Sequence, residues 1–219
     1  MLLEPVPQLE LTSDAFTDAI NALYNCWCQN TQGGEWQDVS IKPIEFGGSM
    51  LRITKKLLQE APNSSRGLPE IMEPETTEDD EEALHRAPAI SSRTTVIYDI
   101  IYSTTYRVPL LYITLKHSLA QPVLSLEEVY DALVPSLQRH QLQSVGPVGS
   151  LSMTEHPVTG MPVYLIHPCR TQEAMAAVAG ERGSTLVQYL MLWLGLVGPS
   201  VGLSVPFELA EMVVKQEGF

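Results

Sequence analysis

Cysteine is scarce in this chain, with only Cys26, Cys28 and Cys169. An odd count without a framework spacing excludes a disulfide-stapled secreted scaffold. It fits a reducing compartment, so a cytoplasmic location is expected. Basic residues are scarce too: Lys and Arg number 13 against 26 Asp and Glu, a formal net charge of -13. That balance excludes a general binder of nucleic-acid backbones, which needs a basic surface, and disfavours anionic membranes. No glycine-rich phosphate loop occurs, and no paired Cys or His spacing of a metal site, so neither cofactor nor metal is expected. Cys26-Trp27-Cys28 lies on a helical pattern without a second Cys or His pair, and reads as packing or surface. The chain start carries Glu4, Pro5 and Pro7 rather than a basic and then apolar leader. The longest uncharged run, 183–207, is long enough to raise a membrane span. Gly195, Gly198, Pro199, Gly202 and Pro206 interrupt it, so it reads as a buried helix followed by a buried loop.

What is present suffices for a sizeable core: 219 residues, of which 44% are hydrophobic. A single domain over 1–219 is expected. Residues 12–31 repeat Phe16, Ala19, Ile20, Leu23, Tyr24 and Trp27 on one helical face, with Thr12, Ser13 and Asp14 as capping candidates. Residues 36–42 and 50–58 read as strands joined through Pro43 and Gly47-Gly48. Residues 61–92 change character, with four prolines and the acidic run Glu78-Asp79-Asp80-Glu81-Glu82, and read as a mobile acidic insert.

The strongest strand signal follows, from Val96 to Tyr102, with a second run at 110–115 after a turn near 104–107. Together these predict a four-stranded antiparallel meander. Ser125-Leu126-Glu127-Glu128 carries a capping-box pattern with Leu126, Val129, Tyr130 and Leu133 on one face. Gly146 to Gly149 read as a Gly/Pro loop, and Glu155-His156-Pro157 leads to a turn at Gly160. A buried helix is predicted through Leu186, Val187, Leu190, Trp193, Leu194 and Val197, ending at Gly198-Pro199. A short helix then starts near Val205-Pro206. One helix, a meander, and then mainly helices is an α+β layout rather than alternating βαβ units. His85, His117, His140 and His156 are scattered and read as surface or structural residues.

The chain is organised around residues 162–171. An apolar strand-like run ends at His167-Pro168, Cys169 follows at once, and a helix predicted from Thr171 runs to Gly180. A cysteine just before a helix N-terminus, with Arg170 beside it, lies in a positive local potential that favours the thiolate. Only the thiolate is a good nucleophile, so Cys169 reads as an acceptor or donor thiol; it also fits a small buried hydrophobe. His167 suits either a base or a loop-holding group, Thr171 a cap, and Arg170 a surface charge.

Three blocks, 98–112, 155–171 and 189–206, resemble the autophagy-related protein 10 family. This is the branch of ubiquitin-conjugating enzymes that joins His-Pro directly to cysteine and attaches a modifier to a protein acceptor. The pattern Trp193-Leu194-Gly195-Leu196-Val197-Gly198-Pro199 separates that family from its lipid-conjugating relative. The resemblance covers roughly residues 94–206 and implies a ubiquitin-conjugating-enzyme-like fold. It also implies that Cys169 receives a ubiquitin-like modifier from an autophagy activating enzyme, holds it as a thioester, and passes it to a lysine of an acceptor protein. No cofactor is implied at this step. Ubiquitin enzymes place an asparagine near their cysteine, whereas no asparagine follows Asn63 here. The oxyanion donor is then a backbone amide near Thr171, the Thr171 hydroxyl, or a tyrosine hydroxyl. The strand 96–102 and its neighbour offer an edge on which an acceptor would dock by strand addition.

Two further readings compete. A cysteine hydrolase needs a separate histidine oriented by Asp or Asn, and His167 is too close in sequence to resemble one. A non-catalytic interaction module would keep the fold and ignore Cys169.

Overall fold

The computed structural model describes residues 11–29, 34–45, 47–57, 94–116, 129, 132–133, 151–168, 171–179 and 185–216. Six strands form one sheet: β1 (Trp36–Pro43), β2 (Ser49–Lys56), β3 (Thr95–Ser103), β4 (Val108–Lys116), β5 (Leu151–Glu155) and β6 (Pro162–Ile166). Their order is β1-β2-β3-β4-β6-β5, antiparallel throughout. The predicted four-stranded meander is present as β1 to β4, and the sheet extends beyond it by the β5–β6 hairpin. Four helices complete the α+β architecture: α1 (Ser13–Gln29), α2 (Thr171–Ala179), α3 (Leu186–Val197) and α4 (Phe207–Gln216). The capping-box segment before Leu133 lies outside the described residues, apart from Val129 and Ala132. The acidic insert at 61–92 also lies outside them.

The sheet has two apolar faces. Leu51, Ile53, Val96, Tyr98, Ile100, Leu111, Ile113, Tyr164 and Ile166 pack with α1 and α3 in the main core. On the opposite face Met50, Ile101, Val108, Leu110, Tyr112 and Val163 form a second cluster. Burial on both sides explains why β3 is almost continuously apolar rather than alternating with polar residues.

One expectation is overturned. β3 is flanked by β2 and β4, and β4 by β3 and β6, so their backbone groups already pair with neighbours. Strand addition at 96–102 is therefore excluded. The sheet's edges are β1 and β5.

The helices begin as their sequences dictate. The Thr12 hydroxyl accepts the Ala15 amide at 3.1 Å, and α1 then buries Phe16, Ala19, Ile20, Leu23 and Cys26. Each large side chain among these contributes about 1.5–3 kcal/mol of burial. Cys28 remains exposed. Thr185 and Gln188 form a reciprocal capping box at the start of α3, at 3.4 and 3.2 Å. α3 has 12 residues, and no helix among the described residues is long and apolar enough to cross a membrane.

The segment after α3 is tied down by side chains of the sheet. The Tyr98 hydroxyl donates to the Val201 carbonyl at 2.8 Å, and the Trp36 indole to the Ser204 carbonyl at 2.9 Å. Lys55 reaches both Glu35 and the Gly202 carbonyl. A Cβ on Gly198 would sit 2.1 Å from the Leu203 carbonyl oxygen, so only glycine allows this close return of the chain. The Trp193–Pro199 block thus consists largely of core residues: Trp193, Leu194 and Val197 are each at most 1% exposed.

Candidate active site

Strand β6 ends at Ile166 and the chain continues through His167 and Pro168. The Thr171 amide donates to the Pro168 carbonyl at 2.9 Å, joining this segment to the first residue of α2. Thr171 is that first helical residue and is only 2% exposed. Cys169 and Arg170, which separate Pro168 from α2 in sequence, lie outside the described residues.

The turn between β3 and β4 meets this segment. Arg107 has φ +53°, a left-handed backbone that is uncommon for a residue with a Cβ. Its amide donates to the Ser103 carbonyl at 2.8 Å, closing the turn tightly. The closure presents Tyr106 to His167: their rings meet edge to face, with centroids 6.0 Å apart and planes at 73°. Tyr106 is 42% exposed and lies 61 residues before His167 in sequence, so no local pattern links them. Residues 104–107 were legible as a turn, and a tyrosine hydroxyl was among the expected donors, but which tyrosine was not.

On the sheet's second face lies a network that the sequence reading missed. Asp99 of β3 is 2% exposed. The Arg52 guanidinium of β2 holds both its oxygens, Nε to Oδ1 at 2.7 Å and Nη2 to Oδ2 at 2.8 Å. Hydrogen bonding to Asp99 raises the Arg52 pKa above its already high value, and this outweighs partial burial. His156, just beyond β5, approaches the same carboxylate with Nε2 3.1 Å from Oδ2. Its Nδ1 accepts the Val158 and Thr159 amides at 3.1 and 3.3 Å. An accepting Nδ1 leaves the ring proton on Nε2, so His156 donates to Asp99. Its ring tilts against Tyr112 of β4, centroids 5.4 Å apart, and burial raises the phenol pKa of Tyr112. The available signal was Asp99 itself, a charge inside the run Val96 to Tyr102 that requires a buried partner.

His156 and Asp99 have the pairing that a hydrolase would use to orient a base. Yet His156 is 2% exposed and both ring nitrogens are occupied, so neither is open to take a proton from a thiol. The pair does not supply the base which the hydrolase reading lacks.

Comparison with known proteins agrees with this architecture. A family model described as "Autophagocytosis associated protein, active-site domain" matches residues 15–208. The ubiquitin-like-conjugating enzyme ATG10 of Gibberella zeae is 41% identical over 134 residues, 61% of this chain and 55% of that protein. Its human namesake is 33% identical over 122 residues, 55% of this chain and 54% of that protein. The chain thus spans about half the length of the curated relatives it matches. Among solved structures, one titled "Crystal structure of Autophagic E2, Atg10" matches with a TM-score of 0.51 and 13% identity. That match covers 90% of this chain and all of the other, and it supports the fold. The family match spans nearly the whole chain and its relatives carry the name that the three sequence blocks suggested, so the chain belongs to the autophagocytosis associated protein active-site family, in its autophagy-related protein 10 branch.

Proposed function

We propose that this chain is a ubiquitin-like-protein conjugating enzyme whose nucleophile is Cys169. The supporting observation is the His167-Pro168 segment at the end of β6, packed edge-on against Tyr106 and leading directly into α2, in a chain of this family. The Cys169 thiolate attacks the thioester carbonyl of a modifier carried by an autophagy activating enzyme. A new thioester forms and the activating enzyme's thiolate leaves. A lysine amine of the acceptor protein then attacks, an isopeptide bond forms, the Cys169 thiolate leaves, and the amine proton passes to water or a base. A thioester is already a good acyl donor, so the protein's work is orientation and support of the developing oxyanion. The Tyr106 hydroxyl, on a half-exposed ring beside His167, is our candidate donor for that oxyanion. His167 holds the segment against this turn. The buried Thr171 fixes the start of α2, whose N-terminal amides favour negative charge nearby. The cytoplasm, with thiols kept reduced, is the compartment in which such a cysteine works.

The test is incubation with the modifier, the charged activating enzyme and ATP, followed by paired non-reducing and reducing gels. A band that vanishes with reductant, is absent in Cys169→Ala, and becomes reductant-stable in Cys169→Ser is expected. Loss of the adduct in Cys26→Ser or Cys28→Ser, with retention in Cys169→Ala, would place the site elsewhere. Absence of any adduct would favour a non-catalytic module.

A further inference from the structure

We infer that His156 is a positioning residue for this transfer, acting through β6, an inference that rests on the thioester reading above. The hairpin that carries His167 and Pro168 is held to the rest of the sheet by a short ladder. β4 and β6 share the pairs Tyr112↔Leu165 and Ile113↔Tyr164, whereas β3 and β4 share nine. β5, on the far side, is an edge strand that pairs only with β6. Beyond the β4–β6 ladder Val163, Tyr164 and Ile166 bury their side chains in the two clusters, which seats β6 itself but leaves the turn before it to its own contacts.

His156 holds that turn. It sits where β5 turns towards β6, and four of its hydrogen bonds close the turn. Its amide donates to the Met161 carbonyl and its carbonyl accepts the Gly160 amide, both at 2.8 Å, while Nδ1 accepts the Val158 and Thr159 amides. A fifth leaves the hairpin altogether. Nε2 donates to Asp99, two strands away across β4, and Asp99 is clamped by Arg52 one strand further on. One imidazole therefore joins the hairpin turn to β3 and β2 across the sheet's second face. A buried charge-assisted hydrogen bond is directional, so it fixes orientation as well as proximity. With both the ladder and this tether in place β6 has one orientation, and the segment leaving it reaches Tyr106 in one geometry.

Two substitutions separate the two roles of the ring. His156→Asn offers an oxygen near the position of Nδ1, so it keeps the turn and loses the reach to Asp99. His156→Gln places an amide nitrogen near Nε2 and keeps the link to Asp99. The measurement is the first-order rate constant for discharge of the pre-charged full-length enzyme onto a lysine acceptor under single-turnover conditions. A merely structural loss lowers the amplitude, because fewer molecules are folded, and leaves the rate constant alone. We expect His156→Asn to lower the rate constant roughly 10- to 100-fold, the scale of a misplacement near 1 Å. His156→Gln should stay nearer the unmodified protein. Adding Asp99→Asn to His156→Asn should cost little more, because the link is already cut.

An unchanged rate constant in His156→Asn, with the unmodified protein loading and discharging normally, overturns the positioning role and leaves the thioester reading intact. Failure of the unmodified protein to load overturns both. Should His156→Asn not fold, imidazole nitrogen NMR of the unmodified protein decides the matter. A proton on Nε2 and an unprotonated Nδ1 at neutral pH are expected, and the opposite tautomer overturns the tether.

Discussion

Arg52 and Asp99 stand opposite each other on β2 and β3, and the guanidinium fork closes on both carboxylate oxygens at 2.7 and 2.8 Å. The arginine side chain is 27% exposed while the aspartate is almost wholly covered, so the arginine reaches in from solvent to neutralise a buried charge. Arg52→Ala strands that charge and should lower stability by about 3 kcal/mol. The double replacement Arg52→Met with Asp99→Asn removes both charges, keeps an acceptor for the His156 ring N–H and should recover much of the loss. Urea denaturation midpoints compare the variants. An Arg52→Ala midpoint equal to that of the unmodified protein would show the pair to be electrostatically idle.

In the proposed mechanism the Tyr106 hydroxyl supports the oxyanion, while its ring packs against His167. Tyr106→Phe keeps the edge-to-face contact and should lower lysine transfer by roughly 100-fold, the scale of a lost oxyanion donor. Formation of the thioester should change little. Tyr106→Ala should impair both steps, and a quenched-flow series on the two variants distinguishes them. Equal transfer rates for Tyr106→Phe and the unmodified protein would assign the oxyanion to another donor.

Two glycines near the end of α3 should respond in opposite directions. A Cβ on Gly195 meets nothing within 4 Å, so Gly195→Ala should stabilise the helix by about 1 kcal/mol. A Cβ on Gly198 meets the Leu203 carbonyl at 2.1 Å, so Gly198→Ala should destabilise by roughly 3 kcal/mol. Thermal melts of the two variants, on either side of the unmodified protein, check both signs at once.

The connection between β2 and β3 is closed at its base. Lys56 pairs with Thr95, and the Leu57 amide donates to the Thr94 carbonyl at 2.9 Å. Deleting residues 66–90 shortens the connection without stretching that closure. Stability should be unchanged or raised by up to about 1 kcal/mol, and thioester formation should be retained. Loss of the adduct in a folded deletion would assign the acidic segment to binding of the activating enzyme.

Much of the fold was legible because its signals are local. Thr12 before an apolar helical face, the glycine pair at 47–48, the run from Val96 to Tyr102 and the capped apolar helix ending at Gly198 each state their element within a few residues. β5 was not legible. Leu151-Ser152-Met153-Thr154-Glu155 is an edge strand with one face in solvent, follows a Gly/Pro-rich sequence, and has no β-branched aliphatic residue. Missing it, and leaving the strand-like run at 162–166 outside the sheet, left the sheet two strands short and made β4, the neighbour of β3, look like an available edge.

In the candidate site the strand end before His167-Pro168 and the helix start at Thr171 were legible, because these residues adjoin. It was not legible where the chain returns to it. Asp99 lies 47 residues from Arg52 and 57 from His156, distances at which only register and twist decide who meets. His156 was read as surface or structural, and burial with five hydrogen bonds places it in the structure rather than on the surface.

The tyrosines of β3 have a consequence for how the chain is made. Tyr102 donates to the Leu11 carbonyl and Tyr98 to the Val201 carbonyl, so one strand receives both the chain before α1 and the chain after α3. The second of these partners is 103 residues downstream. At roughly 5–20 residues per second, α1 and β3 leave the ribosome some 5–20 s before α3 and the segment after it arrive. Through that interval Phe16, Ile20 and Leu23 have no α3 to pack against. The core therefore closes only after α3 has emerged, and until then α1 and β3 carry apolar faces without their partner.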